Sequence, residues 1–283
     1  MVSACTIMFL GCAGATTTAT TAAAATPEAK SGLEGTKVNT YLIGAYMDEK
    51  SATSKLKEAG FEVIASYESI KKGKTLVFTN AQLKAEGAKP GRANAAVLRL
   101  FVDEEEKMLS FTNPVYFGKA FMQNEYSHAV FNAQLEKINK AFPGLKPSAD
   151  MWDFDALADY HFMVGMPYYA DVDTLGTGTN AELLAKAKEY KSGKSLLFEL
   201  KLSDNTTLVG YELGKKTNKF VEKIGRANAA ILPYTVVIEN NKATALGAKY
   251  YIAISYPLLD MSGFMGIATV PGAIVADLEK PFK

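Results

Sequence analysis

Histidine and cysteine are almost absent from this chain, with two residues of each among 283. That scarcity excludes much of the chemistry that imidazole and thiolate groups support, and neither histidine has an identifiable partner for a Ser-His-Asp set. The net charge is only +1, so the chain has no basic stripe for nucleic acid and no acidic tail. We therefore predict no metal site, no cofactor, no nucleic-acid partner and no catalytic residue that can be named.

The first 35 residues lie outside the predicted fold. The run MVSACTIMFLGC is apolar but too short to span a bilayer. It resembles the apolar region and lipobox of a bacterial lipoprotein signal, with small residues before Cys12 and an Ala/Thr-rich tether after it. That resemblance implies lipidation at Cys12 and a lipid anchor in the cell envelope, facing the periplasm or the exterior. The alternative is an ordinary frayed N-terminus.

One six-residue motif, GRANAA, occurs twice, beginning at Gly91 and again at Gly225. The similarity extends upstream, where residues 61–69 match residues 195–203. Matching YLIGAYM, from Tyr41, to YHFMVGM, from Tyr160, requires an insertion in the second copy, PYYADVDTLGTGT. This pattern indicates a tandem duplication, with repeat 1 at 36–148 and repeat 2 at 154–283.

Each repeat has the predicted order β-α-β-β-β-β-α. Helices are expected at 50–60, with Ser51 as the N-cap, and at 124–142, where apolar residues follow a helical spacing. The hairpin of repeat 1 carries a charged tip, DEEEK. The last apolar segment contains three glycines and Pro271, which predicts a broken or kinked helix.

The segment TLVGYELGKKTNKFVEKIGRANAAILPYTVVIENNKATAL resembles the domain-of-unknown-function 302 family in Leu232-Pro233 and Val236-Val237. In repeat 1, Asn113-Pro114 is similar to the proline that closes the family's hairpin. The resemblance implies a curved antiparallel sheet with helices on one face, and no established activity. Many members have a cysteine where this chain has Tyr234, so no thiol-based role is carried over.

The motif itself supplies the main candidate binding residues. Glycine suits a left-handed position after a helix, but a turn does not require an arginine in both copies. Arg92 and Arg226, with Asn94 and Asn228, are therefore candidate anion ligands. In the alternative, each arginine bonds carbonyl groups at the end of the preceding helix.

Three tyrosines complete the set of candidate ligand-binding residues. Tyr168 and Tyr169 lie in the predicted insertion, which makes it a candidate binding loop or a surface flap. Tyr234 lies within a predicted hairpin strand, AAILPYTVVIE. Glu125 and His128 share a predicted helix face and are interpreted as a surface pair.

These observations predict a non-catalytic lipoprotein that binds an unknown small molecule or an envelope protein. The two repeats are expected to pack on each other as a pseudo-dimer, since a lone half-covered sheet would expose an apolar face. The alternative is an enzyme whose site lies in repeat 2 or between the repeats.

Overall fold

The computed structural model describes residue 1 and residues 31–283. Cys12 and the Ala/Thr-rich segment that follows it lie outside the described residues. We call residues 31–153 the first half and residues 154–283 the second half. Each half contains one larger antiparallel sheet together with its helices.

The first half contains eight strands and four α-helices: β1 Lys37–Asn39, β2 Tyr41–Ala45, α1 Glu49–Glu58, β3 Glu62–Ile70, β4 Gly73–Thr79, α2 Ala81–Gly87, β5 Leu98–Asp103, β6 Met108–Thr112, α3 Pro114–Met122, α4 His128–Ala141, β7 Lys146–Pro147 and β8 Met151–Asp153. The second half contains five strands and six α-helices: β9 Asp173–Thr177, α5 Asn180–Glu189, β10 Leu196–Lys201, β11 Thr206–Tyr211, α6 Lys215–Asn218, α7 Phe220–Ile224, β12 Tyr234–Glu239, β13 Lys242–Ala245, α8 Ala248–Ser255, α9 Met261–Gly266 and α10 Val270–Glu279. The described chain is thus a mixed α+β protein.

Both larger sheets are antiparallel throughout. The strand order is β3-β4-β5-β6-β2-β7 in the first half and β10-β11-β12-β13-β9 in the second. Strands β1 and β8 form a separate two-stranded ribbon. In each half, the helix after the first strand of the larger sheet leads to an edge strand, β3 or β10.

Local sequence explains most helix starts. The Asp48 side chain accepts a hydrogen bond from the backbone N–H of Ser51 and caps α1, so the predicted N-cap at Ser51 is wrong by three residues. The Asn80 side chain caps α2 in the same way. At α5, Thr179 and Glu182 form a reciprocal capping box.

The strand predicted at Tyr160 is wrong, and a strand lies within the predicted insertion instead. Residues Asp173–Thr177 form β9, an edge strand paired with β13. Residues 160–166 contain turns and bends instead of the expected strand, with Gly165 at φ +83° and Pro167 directly after. Strand β9 is rich in threonine, aspartate and glycine and buries only Leu175, so it lacks the apolar alternation that identifies a half-buried strand.

Two helical segments differ from the predicted helices. Helix α3 was not predicted; Asn113 caps it and Pro114 occupies its first turn, where the missing N–H costs nothing. Helix α4 begins at His128, later than the predicted residue 124. The break in the C-terminal apolar segment is confirmed, since α9 and α10 are separate and Pro271 lies in the first turn of α10. Helix α8 is formed by residues predicted to continue the second hairpin strand, so that part of the strand prediction is wrong.

The apolar core is continuous across the two halves. One buried cluster joins Leu56 and Phe111 of the first half to Leu183 and Ile252 of the second. A smaller cluster joins strands and loops of both halves, and its members are Val77, Ala93, Ala96, Val97, Phe198, Leu200, Leu208 and Val237. Each half therefore removes apolar surface of the other from water.

Candidate functional site

The second GRANAA motif reaches across to the first half through Arg226. Its Nε and Nη2 atoms donate to the two carboxylate oxygens of Asp103 at 2.9 and 2.7 Å, and Nη2 also donates to the carbonyl of Lys71 at 3.2 Å. Asp103 is fully buried at the end of β5. Glu222 lies 3.5 Å from Nη1. This bidentate ion pair raises the pKa of Arg226 and links the two halves of the chain.

The first motif makes a related but different contact. The backbone N–H of Gly91 donates to Glu239, the last residue of β12, at 3.2 Å. Glu239 also accepts from the Thr206 hydroxyl at 2.7 Å. The Arg92 side chain turns instead to Glu125, with 3.2 Å between Nε and Oε1. Glu239 and Asp103 thus hold matching places at strand ends, yet only Asp103 binds an arginine.

Neither arginine follows the predicted alternative of bonding carbonyls at the end of the preceding helix. Among the described residues, the only carbonyl that accepts from Arg226 is that of Lys71, in the other half of the chain. The two motif glycines do have the predicted positive φ, +70° at Gly91 and +134° at Gly225. The glycine expectation is therefore confirmed, whereas the arginine alternative is wrong.

The two motif asparagines are buried and hydrogen-bonded. Asn94 accepts from the Thr235 hydroxyl, on β12 of the second half, at 2.8 Å. Asn228 donates to the carbonyl of Ser255 at 2.9 Å and to the carboxylate of Asp150 at 3.1 Å. Both asparagines therefore tie the turn that follows the motif glycine to distant segments.

A cavity of about 410 Å³ lies beside Arg92, between the two halves. It brings together Arg92, Asn94 and Tyr169, three of the residues predicted to bind a ligand. The rest of the lining comes from Gly91 and from the second half, and it includes Val172, Val237, Glu239, Lys242, Thr244 and Leu246. The cavity combines a guanidinium, an amide and a phenol with an apolar wall.

Tyr169 is the most constrained member of this group. Its ring lies 5.7 Å from the guanidinium carbon of Arg92 and packs against Phe121 and Tyr250. Its hydroxyl donates to the carbonyl of Gly91 at 2.8 Å. Burial raises the pKa of Tyr169 to about 12, although hydrogen bonds with the Asn94 and Arg92 side chains act in the opposite direction. The phenol is therefore neutral near pH 7 and remains a hydrogen-bond donor.

Tyr168 and Tyr234 lie outside this cavity. Tyr168 is 46% exposed, and its ring centre lies 4.4 Å from that of His161. Tyr234 is buried against Tyr251, and within the described chain its hydroxyl has no hydrogen-bond partner. Nearby Arg99 is also buried and donates to the carbonyl of Pro233 at 3.2 Å.

Arg226 and Asn228 do not line the cavity beside Arg92 either. A separate cavity of about 270 Å³ lies between residues 68–71 and residues 212–222, close to the Arg226 ion pair. The structure therefore divides the predicted ligand residues into one group at a cavity and another buried in contacts between segments. Sequence reasoning missed Glu239 and Lys242, although Glu239 ends the strand after its motif as Asp103 does.

The remaining sequence candidates contribute little to the site. Glu125 pairs with Arg92, while the His128 ring nitrogen lies 3.1 Å from the Tyr126 hydroxyl. Within residues 31–283, no three His, Cys, Asp or Glu residues form a group able to hold a metal ion. Every helix in that range is too short or too polar to cross a membrane. No protein-family model matches the chain, and no curated protein or solved structure matches it.

Proposed function

We propose that this chain is a non-catalytic binding protein of the cell envelope, anchored by lipid at Cys12 and built from a duplicated domain. Its small-molecule ligand occupies the cavity beside Arg92, between the two copies. The convergence of Arg92, Asn94 and Tyr169 on that cavity is the observation that carries this proposal.

The strand orders support the duplication. If the strands of each larger sheet are numbered along their own half, β3-β4-β5-β6-β2 and β10-β11-β12-β13-β9 are both 2-3-4-5-1. In both halves, a GRANAA motif precedes the fourth of these strands. With β9 as the first strand of the second copy, the two copies align without the insertion. In the resulting pseudo-dimer, the motif of each copy contacts the larger sheet of the other copy.

The composition of the cavity supports binding of a small molecule. Its volume of about 410 Å³ falls within the range of about 300–1,000 Å³ that small-molecule pockets occupy. Such pockets combine an apolar lining with a few polar groups that orient the ligand. Here Val172, Val237 and Leu246 supply the apolar part, and the motif side chains supply the polar groups.

The anchor rests on the sequence around Cys12. Lipidation there would attach the binding domain to the membrane through the Ala/Thr-rich segment that follows Cys12. The ligand would then be a small molecule met at the membrane surface, outside the cytoplasm.

Filling the cavity tests the binding function. Ala170 is exposed at the rim of the cavity, so Ala170→Trp should block it without disturbing the core. Ala185→Trp, on the exposed face of α5, is the matched control. Native mass spectrometry of the full chain should detect a co-purified small molecule on wild type and on Ala185→Trp. Retention of that molecule by Ala170→Trp, or no bound molecule on wild type, would contradict the proposal.

A further inference from the structure

The Arg92 guanidinium has more N–H donors than the described part of the chain provides acceptors for. An arginine carries five N–H donors, and one of them goes to Glu125. The Tyr169 hydroxyl, which donates its own proton to the carbonyl of Gly91, also hydrogen-bonds with the Arg92 side chain. Arg92 lines the cavity, so its remaining donors are available to a molecule that binds there.

The guanidinium of Arg226, in contrast, has partners within the chain on each of its nitrogen atoms. Asp103 accepts hydrogen bonds from both Nε and Nη2 of Arg226, and the carbonyl of Lys71 accepts one more from Nη2. Glu222 lies beside Nη1. Glu239 ends the strand after the second motif, as Asp103 ends the strand after the first. Its carboxylate accepts hydrogen bonds from the N–H of Gly91 and from the Thr206 hydroxyl instead of from Arg92. One arginine of the repeated pair therefore has an internal carboxylate partner at a strand end, and the other does not.

The groups around Arg92 favour a particular ligand class. Lys242 adds a second positive charge to the lining, and Asn94 contributes an amide. The lining also contains the carboxylate of Glu239, whose two oxygens accept hydrogen bonds from the N–H of Gly91 and from the Thr206 hydroxyl. Planar guanidinium groups match carboxylates through two parallel hydrogen bonds. Val172, Val237 and Leu246 provide an apolar surface beside these polar groups.

We propose that the cavity beside Arg92 binds one small organic carboxylate per chain, with the carboxylate on Arg92 and the apolar body against Val237 and Leu246. This inference rests on the proposed binding function and specifies its ligand class. Glu125 is an internal competitor for Arg92, because its side chain is 44% exposed and contacts the guanidinium through Nε alone.

Matched probes test the charge requirement. Benzoate and hexanoate are compared with benzamide and hexanamide, which have similar shapes but no charge, by calorimetric titration of the full chain. We expect one carboxylate per chain and at least tenfold weaker binding of each amide. Arg92→Gln should weaken carboxylate binding at least tenfold, whereas the control Lys188→Gln, a surface ion-pair residue of the second half, should leave it unchanged.

A gain of affinity provides a check that a folding defect cannot imitate. Glu125→Gln removes the competing carboxylate, so we expect benzoate and hexanoate to bind roughly two- to fivefold more tightly, the range for loss of an exposed ion pair. Equal binding of acid and amide would overturn the carboxylate assignment while leaving the proposed binding function standing. Unchanged carboxylate affinity in Arg92→Gln, or no binding of either acid, would also overturn it, and the co-purification experiment decides the binding function separately.

Discussion

Removal of Arg226 should destabilise the protein far more than removal of Arg92, although both occupy the same motif position. Arg226→Ala leaves the fully buried carboxylate of Asp103 without its cation. Loss of one partner from a buried ion pair typically costs about 3–5 kcal/mol. The Arg226 side chain keeps 16% exposure and Asp103 retains hydrogen bonds from the N–H groups of Glu105 and Glu106, so we expect the lower end, about 3 kcal/mol.

Arg92→Ala is the matched control. It breaks a pair with the partly exposed Glu125 and a stacking contact with Tyr169, for which we expect a loss of about 1 kcal/mol. Thermal unfolding followed by circular dichroism should then show a decrease in Tm of about 6–12 °C for Arg226→Ala and about 2–4 °C for Arg92→Ala. A thermodynamic cycle with Asp103→Ala isolates the pair, because the double variant should be little less stable than the worse single variant. Equal losses for the two arginine variants, or additive losses in the cycle, would refute this account of the interface.

Three further predictions concern the anchor, the halves and one carboxyl group. Cys12→Ser should leave the precursor unprocessed and without a thioether-linked lipid, and unchanged mass and membrane fractionation would contradict the anchor. The fragment 36–148 should self-associate, because Val77 and Val97 lose their cover from the second half; a stable monomer in size-exclusion chromatography with light scattering would argue against this. Burial raises the pKa of Asp173, so its favourable contribution is present below its ordinary pKa of about 3.9 and is lost as pH rises through the folded value. Asp173→Asn should therefore raise the Tm at pH 7 but not near pH 3, and an equal change at both pH values would contradict this cause.

Strong local signals made parts of the fold predictable. The alternation in residues 61–69 identified β3, and a polar helical pattern with a terminal glycine identified α1. The glycines and Pro271 identified the broken C-terminal helices. Strand β9 escaped prediction because an edge strand of threonine, aspartate and glycine owes its conformation to backbone pairing with β13, which leaves no periodic pattern in the sequence.

Three residues of the candidate site could be named from the sequence, but Glu239, Lys242 and the geometry of the cavity could not. The repeated motif drew attention to Arg92 and Asn94, and the predicted insertion drew attention to Tyr169. The repetition also implied that both arginines would behave alike. Asp103 is 123 positions from Arg226 in the sequence, and no local rule connects them. Such partners are set by how the two sheets pack, and they distinguish the two copies of the motif.

The reciprocal contacts between the motifs and the opposite sheets also constrain how this chain can evolve. Substitution of Arg226 removes a hydrogen-bond partner of Asp103 in the first half, and substitution of Asn94 removes that of Thr235 in the second. A hybrid chain that joins the first half of one such protein to the second half of a diverged relative would therefore place mismatched side chains at both motifs. At these positions, paired substitutions across the halves should therefore outnumber paired substitutions within either half.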